Sequence, residues 1–220
     1  MEPSLHSLEV KRTAHLYQLG AASASTPLVW LVLHGYGQHP AFWIRKFAPL
    51  VDAHTVVIAP EALSRFYLQG NSGRVGASWM TKDQREDEIQ DYLGYLAQLI
   101  AKINHDMPQA QIVLLGFSQG GATAARIAVA SPDSLAAVVL WSAVFPPDLK
   151  AALPSQKLPT WLVYGDADPF LNGEQLESTL QRYRDMHAGL RFLAFSGGHD
   201  ISLEALQQLK TEVLASLLED

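Results

Sequence analysis

"QIVLLGFSQGGATAARIAVA", Gln111 to Ala130, joins an unbroken apolar run to a stretch of small residues, with a glycine-flanked serine at the join. Gln111 to Phe117 has the length and composition of a strand covered on both faces, and Gln119 to Ala130 reads as a helix. Ser118 therefore stands at a strand-to-helix turn. The pattern Gly-x-Ser-x-Gly is common by chance, so its context decides between two readings. In one, Ser118 caps the helix through its hydroxyl. In the other it is a nucleophile on a strained elbow, where the helix N-terminus offers amides and a positive dipole to a developing oxyanion. The strand-turn-helix context favours the second.

Working outward, similar short apolar runs recur as "PLVWLVLHG" (27 to 35), "HTVVIAP" (54 to 60), "LAAVVLWS" (135 to 142), "TWLVYGD" (160 to 166) and "LRFLAFSG" (190 to 197). Helical patterns lie between them. "DEIQDYLGYLAQLIAKI" sets Ile89, Leu93, Leu96, Ile100 and Ile103 on one stripe. "EQLESTLQRYRDM" (174 to 186) and the closing "SLEALQQLKTEVLASLL" (202 to 218) follow the same spacing. Strands alternating with helices give the α/β class, with a mostly parallel central sheet and helices on both faces. "SLEVKRTAHLYQLG" (7 to 20) is expected as an antiparallel edge strand or hairpin, while Glu61 to Lys82 and Ser142 to Leu158 read as irregular loops. No composition shift marks a boundary, so residues 1–220 are expected to form one domain without a large lid.

A serine is a weak nucleophile until a base takes its proton and an acid orients that base. In an open α/β sheet these groups gather at the carboxyl ends of the strands. With the elbow, the order serine, acid, histidine leaves His187 and His199 among the eight histidines. His187 closes a helix leading into the next strand, at the wrong edge. His199 follows "LRFLAFSGG" at the right one. For the acid, "LVYGDADPFL" offers Asp166 and Asp168, and Asp168 is favoured because it stands before a proline in a turn. Asp200 is expected to cap the last helix. The oxyanion donors of this elbow class fall on the backbone N–H of Gln119 and of Tyr36, the latter in the loop "LVLHGYGQHP". His34 in that loop is expected to tether it.

Composition narrows the partners. The net charge of −6 is scattered, without the basic face that a phosphate backbone requires, which argues against nucleic acid. No run approaches the roughly 20 apolar residues of a membrane span, so stable membrane insertion is not expected. "MEPSLHSLEVKRTAHL" lacks the basic start and apolar core of a signal peptide, and a cytoplasmic location is expected. The chain has no cysteine, hence no thiolate chemistry and no disulfide. No ligand spacing suggests a metal, and no cofactor is expected.

The motifs "LHGYG", "GFSQGG", "DADPF" and "GGHD" together resemble the small carboxylesterase and phospholipase family of α/β-hydrolases that includes the acyl-protein thioesterases. The likeness runs along almost the whole chain. It implies a lidless α/β-hydrolase fold and hydrolysis of an acyl ester or thioester without a cofactor. The expected function is a serine carboxylesterase acting on a small-molecule ester of small or medium acyl or aryl type, with a lysophospholipase or acyl-protein thioesterase as the alternative and a non-catalytic binding protein on a hydrolase fold as the alternative from another class. It carries the triad onto Ser118, Asp168 and His199, and the oxyanion positions onto Tyr36 and Gln119. The chain departs from the family where relatives carry an acid and this one has Gln38, where Trp79, Met80 and Thr81 replace a Trp-Phe-Asp motif, and where Tyr164-Gly165 replaces His-Gly. These departures bear on substrate rather than machinery. Trp79, Met80, Phe145 and Phe170 are the expected lining of an acyl or aryl slot, with core packing as the alternative for each. Arg65 and Arg74 are read as solvated surface. A homodimer is compatible with a lidless sheet protein with an apolar mouth.

Overall fold

The computed structural model describes residues 3–149, 157–171, 180, 181, 183, 184 and 189–218. Nine strands fall within them: β1 (Leu16–Leu19), β2 (Leu28–Leu33), β3 (Thr55–Pro60), β4 (Ser64–Gln69), β5 (Ser72–Ser78), β6 (Gln111–Phe117), β7 (Ala137–Trp141), β8 (Thr160–Gly165) and β9 (Leu190–Phe195). The described α-helices are α1 (Pro40–Trp43), α2 (Arg85–Asp106), α3 (Gln119–Ala130) and α4 (Leu203–Ser216). A 3-10 helix over Ile44–Leu50 continues α1.

Seven strands form the central sheet in the order β1-β3-β2-β6-β7-β8-β9. All are parallel except β1, which runs antiparallel to β3 with Leu16 opposite Pro60 and Leu19 opposite Val57. This is the mostly parallel α/β sheet read from the sequence. Of the expected edge element over 7–20, only Leu16–Leu19 is strand; Leu5, Leu8 and Val10 are exposed coil with no sheet face to bury them.

Alternation along the central strands divides two cores. Val29, Leu31, Leu33, Ile112 and Leu114 face α2 and α3, meeting Ile89, Tyr92, Leu96, Ile100 and Ile103 from α2. Trp30, Val32, Val113, Leu115 and Phe117 face the other layer, where Trp43, Ile44, Phe47 and Leu50 pack beside Leu206, Leu209 and Val213 of α4. Every residue of β2 is buried, which is why the run lacks polar alternation. The α4 stripe is shorter than its spacing suggests, since Leu203 is 56% exposed. Of the helix expected over 174–186 only Leu180, Gln181, Tyr183 and Arg184 are described, all helical; His187 lies outside the described residues.

Glu61 to Lys82 is not an irregular loop. It carries a two-stranded antiparallel hairpin, β4 with β5, in which Arg65 pairs with Ala77 and Gln69 with Ser72. The two-residue turn Gly70-Asn71 has positive φ at Gly70 (66°), where glycine costs nothing sterically. A backbone bridge from Gln38 to Ala77 ties the hairpin to the loop after β2.

The strand order reverses around β2, with β3 on one side and β6 on the other. Ligand sites of open α/β sheets form in the crevice at such a switch point, outside the carboxyl ends. Here that crevice lies between the loop after β2, which contains Tyr36, and the turn after β6, which contains Ser118.

Candidate active site

Ser118 follows β6 with φ 53° and ψ −116°, a conformation that L side chains rarely adopt and that costs about 1–3 kcal/mol. The turn is held by Ser118 N–H donating to Trp141 O (3.0 Å) and by Gly121 N–H donating to Ser118 O (2.9 Å). Close packing makes the bend feasible: a Cβ on Gly120 would stand 2.5 Å from Leu33 O, and one on Gly116 only 2.2 Å from Gly120 O. Although Ser118 occupies the N-cap position of α3, its side chain makes no capping hydrogen bond. The capping reading therefore fails. Its half-buried hydroxyl makes no hydrogen bond among the described residues, to His199 or to any other group.

Asp168, in the turn after β8, is wholly buried. Its Oδ2 lies 2.8 Å from His199 Nδ1, and its Oδ1 accepts the N–H of Phe170 at 2.9 Å. An ionised carboxylate only accepts, so Nδ1 is the donor in this pair, and the neutral form of the ring presents Nε2 as its acceptor. The His199 ring lies between two aromatics, 4.8 Å from Phe117 and 4.7 Å from Phe170 by centroid. Phe117 immediately precedes Ser118, so the imidazole packs beside the elbow. Asp166 does something else: its Oδ1 accepts the N–H of Gly197 at 2.9 Å and shapes the turn before His199.

Asp200 does not cap α4. Ser202 does, accepting the N–H of Ala205 at 3.3 Å, while Asp200 pairs with Lys46 at 2.6 Å. The loop carrying His199 has a second anchor that the sequence reading missed, the buried indole N–H of Trp141 donating to Asp200 O at 3.0 Å.

The amides of Tyr36 and Gln119 both lack a hydrogen-bond partner among the described residues, Gln119 because it opens a helix. The loop around Tyr36 is fixed from beneath by His34. Ala62 N–H donates to its Nε2 (3.1 Å), so Nδ1 carries the proton and donates to Gly35 O (2.8 Å). Burial pushes the His34 pKa down to about 4. The Gln38 side chain accepts the N–H of Gly35 at 2.7 Å. Thr81 hydrogen-bonds through its hydroxyl to Glu88 at 3.0 Å.

The four residues expected to line a slot separate. Trp79 and Phe145 belong to the core: Trp79 is 3% exposed and donates its indole N–H to His34 O (2.8 Å), while Phe145, 5% exposed, packs edge-on against Tyr183. Their area is worth more in packing than at a solvent-facing wall. Met80 is half-buried, and Phe170 is 76% exposed beside His199.

Two further features escaped the sequence. Ser142 follows β7 with φ 48°, and its buried Oγ has no hydrogen-bond partner among the described residues. The Gln119 side chain reaches across to Ser78, Trp79 and Met80. The second could not be seen without knowing that β5 ends beside Gln119. No group of three or more metal-ligating side chains occurs among the described residues.

The phospholipase/carboxylesterase family profile matches residues 21–216. This chain belongs to the phospholipase/carboxylesterase family. Acyl-protein thioesterase 1 of Neurospora crassa is 29% identical over 142 residues, an alignment covering 61% of this chain and 58% of that protein. The chain thus spans less than two thirds of that relative. Among solved structures, esterase PE8 superposes with a TM-score of 0.72 at 23% identity, covering 93% of this chain and 99% of that one. Zea mays acyl-protein thioesterase 2 gives 0.68 at 20% identity, covering 93% and 100%. At these identities the superpositions establish a shared fold, the α/β-hydrolase-like sheet of the phospholipase/carboxylesterase family. No described helix is long and apolar enough to cross a membrane.

Proposed function

We propose that the chain is a cytoplasmic serine carboxylesterase acting on small or medium acyl or aryl esters. The observation that carries this reading is Ser118 itself, held in a costly backbone conformation at the crevice while its hydroxyl does no capping. In the proposed reaction Ser118 Oγ attacks the acyl carbonyl carbon as its proton passes to His199 Nε2. Asp168, bonded to Nδ1, stabilises the imidazolium, and the N–H groups of Tyr36 and Gln119 face the tetrahedral oxyanion. Collapse expels the alcohol, which takes the proton from Nε2. Water then attacks the acyl-enzyme with His199 again as base, releasing the acid and restoring Ser118. The Ser118 hydroxyl need not be bonded to the base before substrate arrives, because such bonds tighten in the substrate complex.

The test is the hydrolysis rate of p-nitrophenyl esters from acetate to laurate, run beside Ser118→Ala. Peak activity on short chains, lost in the variant, supports the reading. A second reading, thioester hydrolysis, is favoured by the likeness to acyl-protein thioesterase 1. It gains if a long-chain acyl thioester outcompetes the short esters. Silence across both series overturns ester chemistry.

A further inference from the structure

The exit of the β4–β5 hairpin is bonded to both halves of the crevice. On the β6 side, the Gln119 side chain grips three consecutive residues: its Nε2 donates to Met80 O (2.7 Å) and Ser78 Oγ (3.1 Å), and its Oε1 accepts the N–H of Trp79 (3.0 Å). On the β2 side, Trp79 Nε1 donates to His34 O (2.8 Å), Gly37 N–H donates to Ala77 O (2.9 Å) and Ala77 N–H donates to Gln38 O (3.1 Å). Tyr36 lies between these attachment points. The two segments approach so closely that a Cβ on Gly76 would stand 2.1 Å from Gly37 O.

An oxyanion hole works because its donors are already aimed before charge develops. The loop holding Tyr36 has glycine on either side of that residue and is tied at its start by His34 and Gln38, but Gln119 belongs to a different element, so those ties do not by themselves set the two amides against each other. We infer that Ala77 to Met80 is a brace that sets the Tyr36 amide against the Gln119 amide, with the Gln119 side chain and Trp79 as its positioning residues. This rests on the catalytic reading proposed above. Gln119 then has two separate tasks, its backbone N–H facing the oxyanion and its carboxamide holding the opposite donor in place.

The experiment compares wild type with Gln119→Met, Trp79→Phe, the double variant and Gly76→Ala, each normalised to active sites titrated with a fluorophosphonate. In each single variant kcat per titrated site falls about 10- to 100-fold with KM little changed, the scale of misplacing a reacting group by an ångström or less. Inhibition by an alkyl trifluoromethyl ketone, which forms a tetrahedral oxyanion on Ser118, weakens by the same factor as kcat/KM. The double variant loses far less than the product of the singles, because both act through one segment. Unchanged kcat per site, with only fewer titratable sites, overturns the brace while leaving the catalytic reading intact. Wild type that neither turns over ester nor labels at Ser118 overturns both.

Discussion

Asp168 Oδ2 and His199 Nδ1 are 2.8 Å apart, with the carboxylate wholly buried and the imidazole 20% exposed. A buried carboxylate fixed this way orients the ring and determines which nitrogen faces the crevice. Asp168→Asn keeps the shape and the contact to Phe170 N–H but permits the wrong tautomer, and is expected to lower kcat by about 10⁴-fold with a native fold. Ester turnover and circular dichroism on the purified variant check it.

Asp166 is the control for that assignment. Its Oδ1 accepts the Gly197 N–H, a task an amide oxygen performs equally well. Asp166→Asn is expected to stay within about threefold of wild type, since a neutral acceptor keeps the turn. A loss rivalling that of Asp168→Asn would move the acid to residue 166.

Arg126 is 6% exposed and makes a two-pronged pair with Asp148, 2.8 Å on each arm, while Arg85 also reaches Asp148 and Tyr92 OH lies 3.0 Å from Arg126. The partners are unequal, because Asp148 keeps Arg85 and solvent, whereas among the described residues Arg126 keeps Tyr92 OH, Ala122 O and the weak acceptor sulfur of Met80. Asp148→Ala should therefore cost more, about 3–5 kcal/mol against about 2 kcal/mol for Arg126→Met. Urea unfolding of both variants ranks them, and the reverse order would refute the asymmetry.

Half of the site was legible because strand ends are legible. Continuous apolar runs such as Gln111 to Phe117 fix where a parallel strand stops, and chemistry clusters at those stops, which brought Ser118, Asp168 and His199 to one edge. The hairpin was not, although Gly70-Asn71 is a two-residue turn signal. Its strands are mostly exposed, with Tyr67, Leu68 and Gln69 in succession, so no alternation sustained along the strand announced them. Trp79 and Phe145 were read toward the slot because aromatic residues after strands look the same whether they close a core or line a cleft. Only the partners of the Trp79 indole distinguish the cases.

His34 couples stability to pH. Its pKa is about 4 in the folded protein against an ordinary 6.5, so between these values the unfolded chain binds the proton and the folded one does not. The stability it contributes is complete above pH 6.5 and is lost as pH falls toward 4, a difference of about 3 kcal/mol. Urea unfolding at pH 7.5 and 4.0 should show this extra loss in wild type and not in His34→Gln. Equal losses in the two proteins would place the pH sensitivity elsewhere.

The left-handed backbone at residue 118 sets the needs of the fold against those of chemistry. Glycine would sit there without strain, so Ser118→Gly should raise the free energy of unfolding, by about 1–3 kcal/mol if the whole strain is relieved, while abolishing turnover. On the proposed catalytic reading, a lineage selected only for endurance would drift to glycine at this position, and serine would persist only where turnover is selected.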